Sequence, residues 1–540
     1  MNTSTALHGK ALLDDPIKNN DTAFSLEERS QLGLEGLLPH TVETLDRQFD
    51  RVMMQLSQQP TPLAQFLYLT GIQDRNETLF LKVFMSDQKR FLPIIYDPTV
   101  GEACLQYGHI YRRPRGLYIS LDMRGRIAEV LRNWPGRDVR FILVSSGGRI
   151  LGLGDIGVNG MPIPVGKLQL YTACAAVPPG CVLPILMDIG TTNAPDRADP
   201  LYLGSRQEPP STADLDSFVE EFFQALQEVF PGCCIHLEDW KGTDAMRLLD
   251  QYKEKVLCYD DDIQGTGAVT LAALITASKN ANEKLTDQRI LFLGAGSAGL
   301  GIGGLIAKEM QNQGLSQEEA LGRISLFDVN GLIEPSRKDL NQWQKPFAHK
   351  AEPSDDLVQT IKTLKPSILI GVSTAGGTFT QEVVETMGQL NKRPIIFAFS
   401  NPTANSECTA EQAYAWLGDQ VVFAGGIQFP DVHLNGKTYH PEQVNNIFVF
   451  PAIGLATYCV KPRLITDECF IAAAHAIADQ VTDDDRAKGL LFPPQTGVLQ
   501  AEITTAIRVA EFMFDNDLAT VKRPADIRAF VEAQLYKPAY

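Results

Sequence analysis

The 540-residue sequence has no CxxC pair among its nine cysteines, which stand at positions 104, 174, 181, 233, 234, 258, 408, 459 and 469. An odd, irregularly spaced set excludes a disulfide framework and points to reduced thiols in the cytoplasm, most of them small core residues. No membrane span is expected either. The most apolar long window, 171–190, is broken by Pro178, Pro179, Pro184 and several glycines, and reads as helix, loop and buried strand. The first 20 residues lack an apolar h-region, so no secretory signal is expected. Positive charge is in short supply: 48 Lys and Arg against 65 Asp and Glu leave a net charge of −17. That argues against nucleic acid and anionic membranes as partners. It also means that a site for a small dianion must supply its own local positive charge. Internal repeats and low-complexity linkers are absent.

What the chain does have is 44% hydrophobic residues, enough to bury a large core, and a length that allows two to four domains. Residues 1–90 read as mainly helical: the segments beginning at Ser25 and Thr41 carry apolar residues at helical spacing. From Phe91 the texture changes. Phe91–Tyr96 reads as an apolar strand breaking into a Pro/Gly turn. The runs at 139–146 and 181–190 have the look of buried parallel strands, with a helix at 163–176 between them. A second alternating unit begins near 260, with a helix at 266–281 and short apolar runs at 289–296, 322–328, 367–373, 394–400 and 421–426. Most of these end in Gly, Ser or Asn, and ligands of open parallel sheets sit at such strand ends. After residue 450 the chain is helical again.

The segment Arg289–Leu293 leads into Gly294-Ala-Gly296-Ser297-Ala298-Gly299 and then an apolar helix, giving GxGxxG between strand and helix. The first Gly permits the tight turn, the second lets the backbone approach a pyrophosphate, and the third lets helix pack on strand. The helix N-terminus supplies N–H groups for the phosphates. A Gly-rich packing turn is the competing reading, but Asp328 ends the next strand, where a carboxylate can bind ribose hydroxyls. It would repel a 2′-phosphate, which favours NAD over NADP.

Two acidic clusters follow strand-like runs: His236-Leu-Glu238-Asp239 and Asp260-Asp261-Asp262. Three carboxylates converging from two loops suit Mg²⁺ or Mn²⁺. A solvated acidic loop is the plainer alternative for any such run, but here a Gly turn and a long apolar helix follow at once, placing the acids at a strand end. Lys167 sits among apolar residues after a Pro/Gly turn; burial would push its pKa towards that of a general base, whereas most such lysines merely lie along the surface. Arg149 precedes a Gly-rich loop and has the planar fork for a carboxylate. Tyr96, at a predicted strand end, would ordinarily be core packing.

Together the stretches YDPTVG, RILGLGDIGVNGMPIPVGKLQLYTACA, DPLYLGSRQ, HLEDW, DDDIQGTGAV, FLGAGSAGLGIG, SNPT and NNIFVFPAIGLA resemble the malic enzyme family, in family order over nearly the whole chain. The resemblance implies an α/β fold: a helical N-terminal region (1–90), a parallel-sheet substrate domain (91–259), a doubly wound, Rossmann-type NAD domain (260–445), and a return to the substrate domain with C-terminal helices (446–540). It implies a site in the cleft between the domains and a homodimer or homotetramer. It implies Glu238, Asp239 and Asp262 as metal ligands for Mg²⁺ or Mn²⁺, Lys167 as general base with Asp261 beside it, and Tyr96 as general acid. Arg149, Asn401 and Asn446 are implied as contacts of malate and pyruvate. Arg149, Asp262, Asn401 and Asn445, with the glycine loop and Asp328, are implied as contacts of NAD. Gln344 stands where relatives that prefer NADP tend to carry Lys. The implied reaction is oxidative decarboxylation of malate to pyruvate and CO₂ with reduction of NAD.

The sequence departs from the family pattern at Asp260 (usually Asn), Val444 (usually Gly), Gly425–Phe429 (usually GSPF) and Ser145–Gly148 (usually TDG). A fifth carboxylate at 260 should tighten cation binding or raise a neighbour's pKa. The nearest rival is the malolactic reaction, malate to lactate and CO₂ with bound NAD; malolactic relatives generally lack an Arg at position 149, so Arg149 favours the malic reaction. A non-catalytic NAD-binding protein on the same fold is disfavoured because the whole set of reactive side chains is present.

Overall fold

The computed structural model describes residues 7–136, 138–150 and 152–540. Residues 1–6 of the N-terminal stretch considered above, and Leu151 of the RILGLGDIG motif, lie outside the described residues. The chain forms two compact units: one from 1–143, 157–231 and 533–540, the other from 144–156 and 232–532.

After two short helices, Lys10–Leu13 and Leu26–Gln31, the first unit continues with helices α1 (Leu45–Leu56), α2 (Pro62–Gln73) and α3 (Glu77–Ser86), each of these three started by a side chain accepting from a backbone N–H: Thr44, Thr61 and Asn76. Phe91–Ile95 is helix, not the expected strand. It belongs to α4 (Gln88–Ile95), which Asp87 caps by accepting from the Arg90 N–H at 3.1 Å. Phe91 and Ile95, four residues apart, are the buried pair, so the apolar run has helical spacing that a six-residue window does not distinguish from a strand. Then follow β1 (Leu117–Ser120), β2 (Phe141–Ser145), at which the chain passes into the second unit, α5 (Pro162–Ala175), β3 (Val182–Asp188) and α6 (Thr212–Val229). β1 and β3 pair in parallel. Helix α5 is buried on nearly every side, which accounts for its apolar sequence without amphipathic pattern.

In the second unit β4 (Cys234–Glu238) and β5 (Cys258–Asp260) are parallel neighbours linked by α7 (Gly242–Tyr252). A five-residue π turn, Asp261–Gly265, joins β5 to α8 (Thr266–Ala281). The remaining strands are β6 (Ile290–Leu293), β7 (Ile324–Asp328), β8 (Gly331–Leu332), β9 (Ile368–Gly371), β10 (Ile395–Ala398) and β11 (Val422–Gly425), followed by the hairpin β12 (Val432–Leu434) and β13 (Lys437–Tyr439), and by β14 (Glu442–Gln443). Among the described residues, seven of these form one sheet in the order β14-β11-β10-β9-β6-β7-β8. It is parallel except at β7–β8, the doubly wound pattern of a dinucleotide-binding sheet. The helix α9 (Ser297–Asn312) follows β6. A short capped helix, Gln317–Leu321, lengthens the crossover from β6 to β7.

After the sheet come α10 (Phe450–Val460), α11 (Asp467–Asp479) and α12 (Val498–Asp515). Glu502 of α12 is 1% exposed and accepts from the Ala452 N–H at 2.9 Å, serving the start of α10 from a neighbouring helix. Burial raises its carboxyl pKa well above the ordinary value. The folded pKa therefore exceeds the unfolded one: the stability tied to this group is complete below the unfolded pKa and is lost as pH rises through the folded pKa. Glu502→Gln keeps an acceptor and cannot ionise. It should melt with the wild type at pH 5 and above it at pH 8, by roughly 1 °C per kcal/mol relieved in a chain of this size, as read by differential scanning calorimetry. All nine cysteines are buried and reduced. Among the described residues no helix is long and apolar enough to cross a membrane.

Candidate active site

The ladder between β4 and β5 sets Leu237 opposite Asp260. The residues that follow the two strand ends must therefore meet, and Glu238, Asp239 and Asp262 each bring a carboxylate oxygen within 4.8 Å of the others. Glu238 and Asp239 are 4% exposed. Asp239 has φ 54°, a left-handed turn that is held because its N–H donates to Asp262 Oδ2 at 2.8 Å. The carbonyl of Asp239 in turn accepts from the N–H groups of Gly148 and Arg149 at 3.0 and 3.1 Å, and from Ser146 Oγ at 3.3 Å. The unusual Ser145–Gly148 segment thus docks Arg149 beside the acid cluster.

Asp260 is fully buried. Its Oδ1 accepts from the Ile263 N–H at 3.1 Å, while Oδ2 is buried with no hydrogen-bond partner among the described residues. Burial first, then the charges of Asp262 and Glu238, push its carboxyl pKa well above the ordinary value. The expected consequence of a carboxylate at this position thus falls on Asp260 itself. Asn446 donates through Nδ2 to Asp261 Oδ2 at 2.9 Å, to the Asp261 carbonyl at 3.0 Å and to Thr266 Oγ1 at 3.0 Å. Asn445 caps the short turn that follows, accepting from the Ile447 N–H at 3.0 Å.

Three carboxylates with oxygens this close repel one another, and a hard divalent cation such as Mg²⁺ or Mn²⁺ suits that donor set. A second grouping, His236, Glu238 and Asp261, meets the same distance limit.

Gly294, at φ 117°, opens the glycine loop in a conformation that L side chains rarely adopt. Helix α9 begins at Ser297 with no side chain capping it among the described residues, so its first N–H groups are free to meet what the loop holds. Ser297 Oγ and Arg149 Nη1 lie 3.1 and 3.4 Å from the point where a side chain on Gly242 would start, so the arginine and the start of α9 converge on one place. Asn401 Oδ1 lies 3.1 Å from the corresponding point on Gly152, and that oxygen is buried with no hydrogen-bond partner among the described residues.

Asp328 ends β7 as expected, but its carboxylate is engaged. Arg337 grips it with both Nη atoms, at 2.8 and 2.9 Å, and also pairs with Asp339 at 2.5 Å. The arginine lowers the Asp339 pKa to about 2. Arg337 carries no motif that marks it in the sequence. Gln344 Nε2 donates to the Ala295 carbonyl in the glycine loop at 3.1 Å. Glu407, also unforeseen, is fully buried and accepts from the N–H and hydroxyl groups of both Ser373 and Ser400 at 2.5–3.2 Å, tying together the ends of β9 and β10 next to Asn401.

The first unit holds the other two reactive side chains. Lys167 is 4% exposed on α5, so it is not a surface lysine. Tyr96 follows α4, and its ring edge lies 3.2 Å from the point where a side chain on Gly166 would start. A side chain at 166 would crowd the ring by a few tenths of an ångström, so glycine there favours the close approach of Tyr96 to α5, one residue before Lys167.

A parallel dinucleotide-type sheet, a glycine turn leading into a helix and a strand-end carboxylate cluster define the class: an α/β protein with the sheet of a dinucleotide-binding domain and a donor set that would suit a hard cation. Two family models match the chain: the malic enzyme N-terminal domain over residues 73–253 and the malic enzyme NAD binding domain over 263–514. The chain belongs to the malic enzyme family. It is 43% identical over 542 residues to an NADP-dependent malic enzyme of Phaseolus vulgaris, covering 100% of this chain and 92% of that one. It is 42% identical to an NADP-dependent malic enzyme of Homo sapiens (99% and 94% covered). With a mitochondrial NAD-dependent malic enzyme of Ascaris suum the identity is 41% (98% and 83% covered). In fold it is similar to the crystal structure of Entamoeba histolytica malic enzyme, at TM-score 0.58 and 22% identity, covering 94% of this chain and 91% of that one.

Proposed function

We propose that this chain is an NAD-linked malic enzyme that converts malate to pyruvate and CO₂ with Mg²⁺ or Mn²⁺. The observation that carries the reading is the cluster of Glu238, Asp239 and Asp262 at the ends of β4 and β5, in a chain of this family. Glu238, Asp239 and Asp262 hold the cation. The bound groups supply a hydride acceptor, in NAD, and a Lewis acid on the substrate's oxygens, in the cation. Lys167 takes the proton of the 2-hydroxyl as C2 is oxidised. Arg149 and Asn446 bind substrate carboxylate, and Asn401 touches substrate and nicotinamide. After CO₂ leaves, Tyr96 delivers the proton to C3 that completes pyruvate. Arg149 and Lys167 supply the local positive charge that a chain of net charge −17 needs for a dianion. The buried, reduced cysteines agree with work in the cytoplasm, and a homodimer or homotetramer is the assembly we expect.

NAD is favoured over NADP by charge. Arg337 is shared between Asp328 and Asp339, so the three groups together are net negative where a 2′-phosphate would have to sit. Gln344 adds no charge at the glycine loop. Purified protein with L-malate, NAD and Mn²⁺ should give NADH and pyruvate in equal amounts. Lactate without net NADH would move the chain to the malolactic reaction, and no turnover with either dinucleotide would sink the reading. Gln344→Lys should raise kcat/KM for NADP about tenfold while changing that for NAD little, as one added surface charge contact implies. An unchanged ratio between the two cofactors would remove Gln344 from the explanation.

A further inference from the structure

His236 and Tyr259 are direct partners across the β4–β5 ladder, so their side chains stand next to each other on one face. Glu238 lies two residues beyond His236 and, with the period of two along a strand, points to that same face. The three side chains form a chain of hydrogen bonds: Tyr259 Oη to His236 Nδ1 at 2.9 Å, and His236 Nε2 to Glu238 Oε2 at 2.9 Å. His236 and Tyr259 are both fully buried. Their rings lie 4.6 Å apart, with Phe450 against the imidazole at 5.9 Å and Phe470 against the phenol at 5.6 Å. In such a water-poor setting a hydrogen bond to a carboxylate is strong and its geometry is held by packing.

We propose that Tyr259 and His236 aim Glu238 at the cation, with His236 a positioning residue of the metal centre. The inference rests on the reading above that Glu238, Asp239 and Asp262 hold a divalent ion. A ligating carboxylate only accepts, so the imidazole carries its hydrogen on Nε2 and donates it to Glu238. Nδ1 then accepts from the Tyr259 hydroxyl, which fixes that tautomer and the plane of the ring. Outer partners of this kind orient ligands and tune metal affinity. His236 also stands within reach of Glu238 and Asp261 as a ligand set of its own, but each ring nitrogen already has a protein partner at 2.9 Å. Direct ligation would require breaking one of those bonds.

Side-chain amides separate the two ring nitrogens. The nitrogen of a glutamine falls near Nε2 and can donate to Glu238, whereas that of an asparagine falls near Nδ1 and cannot reach it. The test is Mn²⁺ affinity of the full chain without malate or nucleotide, read from the free-ion electron paramagnetic resonance signal, with melting curves as a check on folding. His236→Asn should weaken Mn²⁺ binding about 10–100-fold. His236→Gln should restore most of that loss. Tyr259→Phe, which removes a single oxygen, should weaken binding about fivefold, the worth of one neutral hydrogen bond. Wild-type affinity in a folded His236→Asn protein overturns the inference, as does equal loss in the Asn and Gln variants, which would make His236 a ligand or a packing residue. Wild-type protein whose Mn²⁺ binding is insensitive to Asp262→Asn would overturn the metal reading itself, and the inference with it.

Discussion

Lys167→Ala should lower kcat about 10²–10⁴-fold, the usual worth of a positioned general base, while leaving NAD affinity near that of the wild type. The expectation follows from where the side chain lies. Lys167 is on the buried helix α5, 4% exposed, with Tyr96 held close by Gly166. Placing an ammonium there is costly, and such a site is kept where the amine has chemistry to do. The dinucleotide contacts proposed here lie on α9 and the strand ends of the other unit, so the cofactor should still bind; titrating the protein with NADH and following its fluorescence checks this. Lys167→Arg discriminates further. A guanidinium keeps the positive charge but does not give up its proton in a protein, so a base cannot be replaced this way whereas a mere counter-charge can. Arg should therefore rescue substrate binding, seen as KM, and not kcat. Turnover near wild type in Lys167→Ala would remove the lysine from the proton path, and recovery of kcat in Lys167→Arg would reduce it to a charge.

The parts of this molecule that were legible in its sequence are those whose physics is local. The glycine turn at 294–299, the helix at 266–281 and the buried strands at 290–293, 368–371 and 395–398 come from runs of a few residues with one dominant signal. The approach of Glu238 and Asp239 to Asp262 was legible for a related reason: two strands of like direction, each ending in acids, can only be in register or out of it, and Leu237 opposite Asp260 is the register that brings the acids together. The strand expected at 91–96 went the other way because its identity depends on whether Phe91 and Ile95 or alternate residues face the core, which only packing decides. The tertiary partners were out of reach. Arg337 lies nine residues from Asp328 across a turn, Glu407 reaches back to Ser373 and Ser400, and the use of His236 depends on what stands opposite it in the ladder. None of these has a spacing that marks it, since each partner is chosen by the folded backbone.

Asp262→Asn should separate binding from stability in opposite directions. Asparagine preserves an oxygen for the Asp239 N–H, so the left-handed turn at Asp239 should persist. What it removes is one of three negative charges whose oxygens lie within 4.8 Å of each other, and one of the charges that raise the Asp260 pKa. At an effective dielectric of 20 each such pair repels by roughly 3 kcal/mol, and the cation offsets that repulsion only when it is bound. The variant should therefore lose Mn²⁺ affinity by about 100-fold or more, as expected when a charged ligand becomes a neutral one. In the presence of chelator, however, it should melt higher than the wild type. Malate oxidation should fall with the metal and return in part at high Mn²⁺. The pairing of the two signs is the informative part. A structural carboxylate would lose stability on replacement whether or not metal is present, and a solvated acidic loop would change neither quantity. Only a site in which acids are held together against their own repulsion for the sake of a cation gains stability while losing its ligand.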